Sequence, residues 1–134
     1  MRVLIDTNIL LSAAYLPGSV PDQAYKKAVS LPYKGLVCEQ SIEEMHRIFN
    51  KKFPDKMSAL AKFLDTACGL IEVVIMPHEP YPDEGKIRDK KDRPILRAAI
   101  NAGADIILTG DKDFTESSVK RPMILTAAQF LDMK

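Results

Sequence analysis

Four acidic residues stand where predicted strands end or predicted helices begin: Asp6, Glu44, Asp92 and Asp111. Asp113 adds a fifth acid, in the sequence TGDKDF. Carboxylates that are brought together repel one another unless they are protonated or hold a cation. Hard divalent cations such as Mg²⁺ and Mn²⁺ prefer oxygen ligands of this kind. If the fold gathers these acids, the sequence predicts a Mg²⁺ or Mn²⁺ site.

Each of these acids, taken alone, also has a structural interpretation. Asp6 and Asp92 are able to cap the helices that follow them, and Asp111 is a common turn residue after glycine. Glu44 lies three residues after Ser41 in the sequence SIEE, which predicts a capping box at the start of a helix. The metal-site hypothesis therefore depends on the elements that position the acids relative to one another.

The apolar pattern predicts alternating strands and helices in the order β-α-α-β-α-α-β-α-β-β-α. This alternation predicts an α/β fold, a three-layer α/β/α arrangement with a central, mostly parallel sheet of about five strands. The carboxyl ends of parallel strands meet at one edge of the sheet, where ligands bind. The acids that follow the first and fourth strands are expected to converge there. The predicted strands are residues 2–5, 35–38, 70–76, 104–109 and 123–125.

The segment 77–91 (PHEPYPDEGKIRDKK) is the clearest loop in the chain. Its three prolines and one glycine disfavour regular structure, and most of its other residues are charged. Long loops inside compact domains are often functional. This one leads directly to Asp92, so it is expected to border the predicted site.

Length and charge limit the class of protein. The chain has 134 residues, with 19 Lys and Arg against 18 Asp and Glu and a formal net charge of +1. This length predicts one domain over residues 1–134, with enough apolar content to form a core. The near-zero net charge excludes a broad basic coat for nucleic acid, so any contact with nucleic acid must be local.

The cysteines and the apolar segments indicate an intracellular protein without a membrane anchor. Cys38 and Cys68 belong to no C-x-x-C pair, which disfavours a zinc or redox motif. Two buried thiols in a reduced cytoplasmic protein are expected, and a disulfide between them stays open. No segment has the ~20 apolar residues of a membrane span.

Several common catalytic motifs are absent from the sequence. It contains no phosphate-binding G-x-x-x-x-G-K-[ST] loop, no dinucleotide-binding G-x-G-x-x-G and no G-x-S-x-G nucleophile elbow. His46 and His78 are isolated from each other and from the cysteines, so no His/Cys metal set competes with the acids.

Four segments in this order resemble the PIN-domain nucleases, most closely the PIN-type toxins of toxin–antitoxin modules. The segments are DTNIL at 6–10, SIEE at 41–44, KDRPILRAAI at 91–100 and ADIILTGDKDF at 104–114. The resemblance implies a Mg²⁺- or Mn²⁺-dependent endoribonuclease in which water attacks the phosphodiester and leaves 5′-phosphate and 3′-hydroxyl ends. The acids it implies for catalysis and metal binding are Asp6, Glu44, Asp92 and Asp111, with Asp113 as an auxiliary metal ligand.

The resemblance also implies roles for neighbouring residues. Asn8 and Thr109 are expected to orient the metal-binding acids. Arg93 and Lys112 adjoin predicted site acids and are the first candidates for contact with RNA phosphates. Glu43 stays an alternative to the adjacent Glu44. The implied partners are an RNA substrate, an antitoxin protein and a second copy of the chain in a homodimer.

Three other functions would use some of the same residues. A haloacid-dehalogenase-like phosphatase needs an aspartate two residues after Asp6, where Asn8 stands. A Toprim-like nuclease is able to use Asp111 and Asp113 but leaves Asp6 and Asp92 unexplained. A non-catalytic binding module that keeps a degenerate acidic edge is disfavoured by the intact acids.

Overall fold

Short apolar runs of the sequence form the five strands of a parallel sheet. The structure is a computed structural model that describes residues 1–133. The four strand pairings are all parallel, and the strand order is β3-β2-β1-β4-β5. The predicted α/β class and parallel sheet are therefore confirmed. The strands are β1 (Arg2–Ile5), β2 (Lys34–Cys38), β3 (Ile71–Val74), β4 (Ile106–Leu108) and β5 (Met123–Leu125).

Helices cover both faces of the sheet and bury two separate apolar clusters. The alternation of β1 sends Val3 and Ile5 to one face and Leu4 to the other. Five helices pack on the Val3 face, while α5 and α6 pack on the Leu4 face. The helices are α1 (Thr7–Tyr15), α2 (Val20–Ala28), α3 (Glu39–Lys52), α4 (Met57–Cys68), α5 (Arg93–Asn101), α6 (Lys112–Thr115) and α7 (Ala127–Asp132).

The chain adds strands to the two sides of β1 in turn, so the order of addition changes direction between β1 and β4. From β1 the chain adds β2 and then β3 on one side, and it later places β4 and β5 on the other side. The carboxyl ends of the two strands at such a reversal border a crevice, because their connections leave in opposite directions. The amide of Asp6 donates to the carbonyl of Leu108 at 3.0 Å, which fixes the end of β1 against the end of β4.

The start of α3 corrects one prediction. The helix begins at Glu39, directly after β2, and its N-cap is Cys38, without a side-chain capping bond. Ser41 lies inside the helix, is buried, and accepts a hydrogen bond of 2.8 Å from the hydroxyl of Thr7. The predicted Ser41–Glu44 capping box is therefore wrong. Ser41 instead joins α3 to the first turn of α1, next to Asp6.

The segment 77–91 packs firmly on α5, and we call it the strap. It contains a short 3-10 helix, Pro82–Lys86. Glu84 is buried and pairs with Arg97 of α5 at 2.8 Å, and Arg97 also donates to the carbonyl of Pro77 at 2.9 Å. Ile87 is fully buried in the α5 cluster. The strap is therefore an anchored loop, held to α5 by Glu84 and Ile87.

Other sequence predictions have mixed outcomes. The third strand is shorter than predicted, and the four-residue α6 was not predicted. Thr126 forms the predicted capping box with Gln129. Both cysteines are free thiols, Cys38 buried and Cys68 exposed, so the expectation of two buried thiols holds only for Cys38. Within residues 1–133, no helix combines the length and apolar character needed to cross a membrane.

Candidate active site

Asp6 lies at the carboxyl end of the central strand, where both of its carboxylate oxygens are held. Oδ1 accepts a hydrogen bond of 2.8 Å from the amide of Thr7, and Oδ2 accepts one of 2.7 Å from the hydroxyl of Thr109. Asp6 therefore caps α1, as its structural interpretation predicts. Burial raises the pKa of Asp6 above 3.8 despite these two hydrogen bonds, and the charges of Asp111 and Glu44 raise it further.

Asp92 and Asp111 are neighbouring carboxyl groups in the site. Partial burial and then the adjacent carboxylate of Asp111 raise the pKa of Asp92 to about 7, with smaller contributions from Asp6 and Asp89. Among residues 1–133, the Oδ2 atom of Asp92 is the one buried side-chain oxygen or nitrogen without a hydrogen-bond partner. Asp92 occupies the N-cap of α5 but makes no capping bond. A buried, unpaired oxygen among acids is an available ligand atom.

Two further acids, Asp89 and Asp113, lie close to Asp92. Asp89, Asp92 and Asp113 each place one carboxylate oxygen within 4.8 Å of the others. We call Asp6, Asp89, Asp92, Asp111 and Asp113 the acidic cluster. Asp89 was not predicted as a site residue, because its sequence position suggests only a turn or a cap before α5. Its Oδ1 indeed accepts a hydrogen bond from the amide of Lys91 at 2.9 Å.

The structure distinguishes the two adjacent glutamates of α3. Glu44 is partly buried, and its charge acts on Asp6, while Glu43 is exposed and makes no contribution of that kind. Both line a shallow cleft with Gln40 and Arg47. Helical phase therefore turns Glu44 toward Asp6 and leaves Glu43 exposed.

This difference predicts unequal effects of two matched substitutions. In the ribonuclease that the sequence resemblance implies, Glu44→Gln is expected to lower the rate of RNA cleavage at least about tenfold, because neighbours of a metal site typically contribute 10–100-fold. Glu43→Gln, the matched control, is expected to change the rate less than about twofold. Single-turnover cleavage of a labelled RNA measures both. Equal losses in the two variants, or a larger loss in Glu43→Gln, would contradict this assignment.

The remaining predicted site residues have defined contacts. Thr109 is fully buried, and its hydroxyl donates to Asp6 while accepting from the amide of Asp111 at 3.0 Å, so it links two acids. Asn8 accepts a long hydrogen bond of 3.5 Å from the amide of Gly110. Arg93 donates through Nε to the carbonyl of Ile87, which favours a role in holding the strap. Lys112 is exposed beside Asp113.

The chemistry of the acidic cluster fits a hard divalent cation. Its donors are carboxylate oxygens on both sides of the β1–β4 crevice and on the strap. One of these oxygens is buried without a partner, and burial together with the neighbouring Asp111 raises the pKa of its carboxyl group; a bound cation offsets both effects. Mg²⁺ and Mn²⁺ bind a few carboxylates and fill their other positions with water or substrate oxygens.

Comparison with known proteins places this arrangement in a family. A family model described as a PIN domain matches residues 2–113, which include every member of the acidic cluster. The chain belongs to the PIN domain family. No curated protein sequence matches this PIN-domain chain.

Solved structures share the PIN-domain architecture at low sequence identity. One is a chain of VapBC2 from Rickettsia felis, in a structure of VapBC2 bound to a DNA fragment from its promoter. It has 14% identity and a TM-score of 0.69, and the match covers 94% of this chain and 98% of that one. Another is VapC20 from Mycobacterium tuberculosis, a Sarcin-Ricin loop cleaving toxin, with 13% identity, a TM-score of 0.60 and coverage of 85% and 93%. These similarities support the three-layer fold.

Proposed function

We propose that this PIN-domain chain is a Mg²⁺- or Mn²⁺-dependent endoribonuclease. The observation that carries the proposal is the buried, unpaired Oδ2 of Asp92 within an acidic cluster at the crevice between β1 and β4. Cys38 stands at the end of β2, level with Asp6, but it is fully buried and burial raises the pKa of its thiol, which disfavours a cysteine nucleophile. A hydrolase that acts through a bound cation uses the groups that are present. VapC20, which shares the fold, is a Sarcin-Ricin loop cleaving toxin.

The acids divide into metal ligands and border residues in this proposal. Asp6, Asp92 and Asp111 would hold the cation, with Glu44 and Asp113 at its border. When bound, the cation supplies Lewis-acid polarisation of the scissile phosphate and a lower pKa for a coordinated water. Thr109 fixes the rotamer of Asp6 through its 2.7 Å hydrogen bond and keeps that carboxylate aimed at the crevice. These fixed positions limit reorganisation during the reaction.

Asp92 has a second property that suits proton handling. With a pKa of about 7, its carboxyl group holds a proton over part of the neutral range when no cation is present. Binding of a cation displaces that proton, so metal binding is expected to weaken as the pH falls. Asp113 is held by Arg88, which leaves Asp92 and Asp111 as the freer carboxylates of the cluster.

We further propose that the chain is the toxin of a toxin–antitoxin pair. The support is the fold shared with a chain of VapBC2 and with the toxin VapC20. The expected partner is a small antitoxin protein, encoded beside this chain, that inhibits cleavage when added in equal amount. The predicted homodimer and the cytoplasmic location belong to the same proposal.

Removal of divalent cations tests the proposed activity directly. The protein is expected to cleave a labelled single-stranded RNA in Mg²⁺ or Mn²⁺, to stop in EDTA, and to recover when excess Mn²⁺ is returned. The products are expected to carry 5′-phosphates, which a phosphate-specific exonuclease detects. Cleavage that persists in EDTA contradicts the metal mechanism. The absence of cleavage of any RNA, with Mn²⁺ bound, contradicts the ribonuclease itself.

A further inference from the structure

A small charged cleft lies beside the acidic cluster, between the strap and α6. Its volume is about 130 Å³, which suits a group the size of a phosphate. Three cations and two acids line it, so its own charges sum to a positive value. We call it the rim cleft; its lining residues are Lys86, Arg88, Lys112, Asp113, Glu116 and Ser117.

Arg88 is the best-defined cation of the rim cleft. Its Nε and Nη2 both contact Oδ1 of Asp113, at 2.7 and 2.6 Å, and Nη2 lies 4.0 Å from Glu116. The guanidinium has five N–H groups, so contact with Asp113 leaves several of them available. Asp113 belongs to both the rim cleft and the acidic cluster. Arg88 is therefore held next to the proposed metal site with donors to spare.

The backbone on which Arg88 stands is also fixed. The preceding residue, Ile87, is fully buried, and its carbonyl accepts a 2.9 Å hydrogen bond from Nε of Arg93. The Glu84–Arg97 pair holds the start of the same turn. Little conformational freedom of this backbone is left to lose on binding, which favours affinity.

The other two cations are free to turn toward a ligand. Lys86 contacts only Asp83, at 3.5 Å, and both side chains are about half exposed. Exposed ion pairs of this kind contribute little to stability, so Lys86 can leave Asp83 at a small cost in free energy. Lys112, at the start of α6, is exposed on the opposite wall of the rim cleft.

We propose that the rim cleft binds a phosphate of the RNA backbone that flanks the phosphate to be cleaved. This inference rests on the proposed ribonuclease function and deepens it. The planar fork of Arg88 matches two phosphate oxygens, while Lys86 and Lys112 add positive charge from both walls. The strap thus adds a substrate contact to those predicted for Arg93 and Lys112. Because phosphates are common to all sequences, this contact positions the RNA without selecting a base.

Binding of a labelled single-stranded RNA tests the proposal. The measurements use fluorescence anisotropy in Mg²⁺ over a series of KCl concentrations, in an Asp6→Asn background that keeps the RNA intact. Arg88→Met is expected to raise Kd about tenfold, because hydrogen bonds to charged groups are among the strong ones. It is also expected to reduce the slope of log Kd against log salt by about 0.7, the value for one phosphate contact on a single strand.

Two further variants show whether the effect of Arg88 comes from its charge, from the shape of its guanidinium or from its position in the rim cleft. Arg88→Lys is expected to restore the salt slope but only part of the affinity, because lysine keeps the charge and loses the fork. Arg121→Met removes the same charge at the opposite edge of the sheet, where Arg121 lines a different cavity. It is expected to leave both the affinity and the slope nearly unchanged.

The possible results separate this proposal from the proposed function. If Arg88→Met binds RNA with the affinity and slope of its parent, the phosphate contact is wrong, although the chain still cleaves RNA. If Arg88→Met weakens Mn²⁺ binding in calorimetry and leaves the salt slope unchanged, Arg88 acts only by positioning Asp113, and the rim cleft is not a phosphate site. If the unaltered chain neither binds nor cleaves RNA, the proposed function fails as well.

Discussion

Asp92→Asn is expected to lower the rate of RNA cleavage by at least about 100-fold and to remove most of the heat of Mn²⁺ binding. Groups that act only through a metal ligand already contribute 10–100-fold, and Asp92 is proposed as a direct ligand. Asparagine keeps the shape of the side chain and one oxygen but removes the charge. It also removes the repulsion among Asp89, Asp92 and Asp111, so the variant is expected to fold.

A matched substitution shows whether the effect is local. Asp65 is exposed on α4 and lies outside the acidic cluster, so Asp65→Asn is expected to retain full activity. Single-turnover kinetics and calorimetry with Mn²⁺ are measured for both variants, with circular dichroism as the check of folding. Comparable cleavage by Asp92→Asn and the unaltered protein would remove Asp92 from the site.

The thermal stability of the metal-free protein is expected to fall as the pH rises from 5 to 8. Burial and the neighbouring acids raise the pKa of Asp92 from 3.8 to about 7, and the pKa of Asp6 is raised in the same direction. Between these values the folded state binds more protons than the unfolded state, so the free energy of unfolding decreases as the pH increases. We expect Tm to decrease by roughly 5 °C across this range in EDTA.

Other carboxylates with shifted pKa values do not mask the expected decrease of Tm with pH. The hydrogen bonds of Arg2 and Arg97 lower the pKa values of Glu72 and Glu84 below 4.5. Their contribution is lost only as the pH falls through those lowered values, so it is complete throughout the range from 5 to 8. The slope in that range is therefore expected to report the acidic cluster.

Manganese is expected to reverse the trend. A ligand at a hundred times its Kd stabilises the folded state by roughly 2.7 kcal/mol. Because protons compete with the cation, the increase in Tm on adding Mn²⁺ is expected to be larger at pH 8 than at pH 5.5. Scanning calorimetry with and without Mn²⁺ measures both effects, and Asp92→Asn is expected to flatten the pH dependence. A metal-free Tm that rises with pH would contradict the repulsion among these acids.

The sequence predicted the elements that place Asp6 and Asp111, because short apolar strands followed by acids are local patterns. It also predicted Thr126 as a cap, since a capping box involves residues three positions apart. The prediction for Ser41 used the same pattern and was wrong. There the chain passes from β2 into α3 without a side-chain cap, and the Ser41 hydroxyl pairs with Thr7, 34 residues away. A contact of that kind leaves no local signal.

The other residues that the sequence failed to predict lie mostly in the strap. Its residues follow no helical or strand period, so nothing in the sequence indicated that Glu84 would be buried against Arg97. Asp89 and Arg88 owe their positions to that anchoring, and their contacts with Asp92 and Asp113 arise from the fold. The four residues of α6 are likewise too few to show a periodic pattern.

The attachment of the strap has a consequence for how proteins of this design diversify. A buried ion pair and one apolar side chain hold it to α5, whereas the positions of Asp6 and Asp111, which follow β1 and β4, depend on the sheet. The charged residues that follow Ile87, from Arg88 to Lys91, are exposed and do not support the core. Surface loops of this kind tolerate substitution well. In the proposed ribonuclease, exchange of exposed strap residues can therefore alter the contacts with substrate while Asp6 and Asp111 keep their positions.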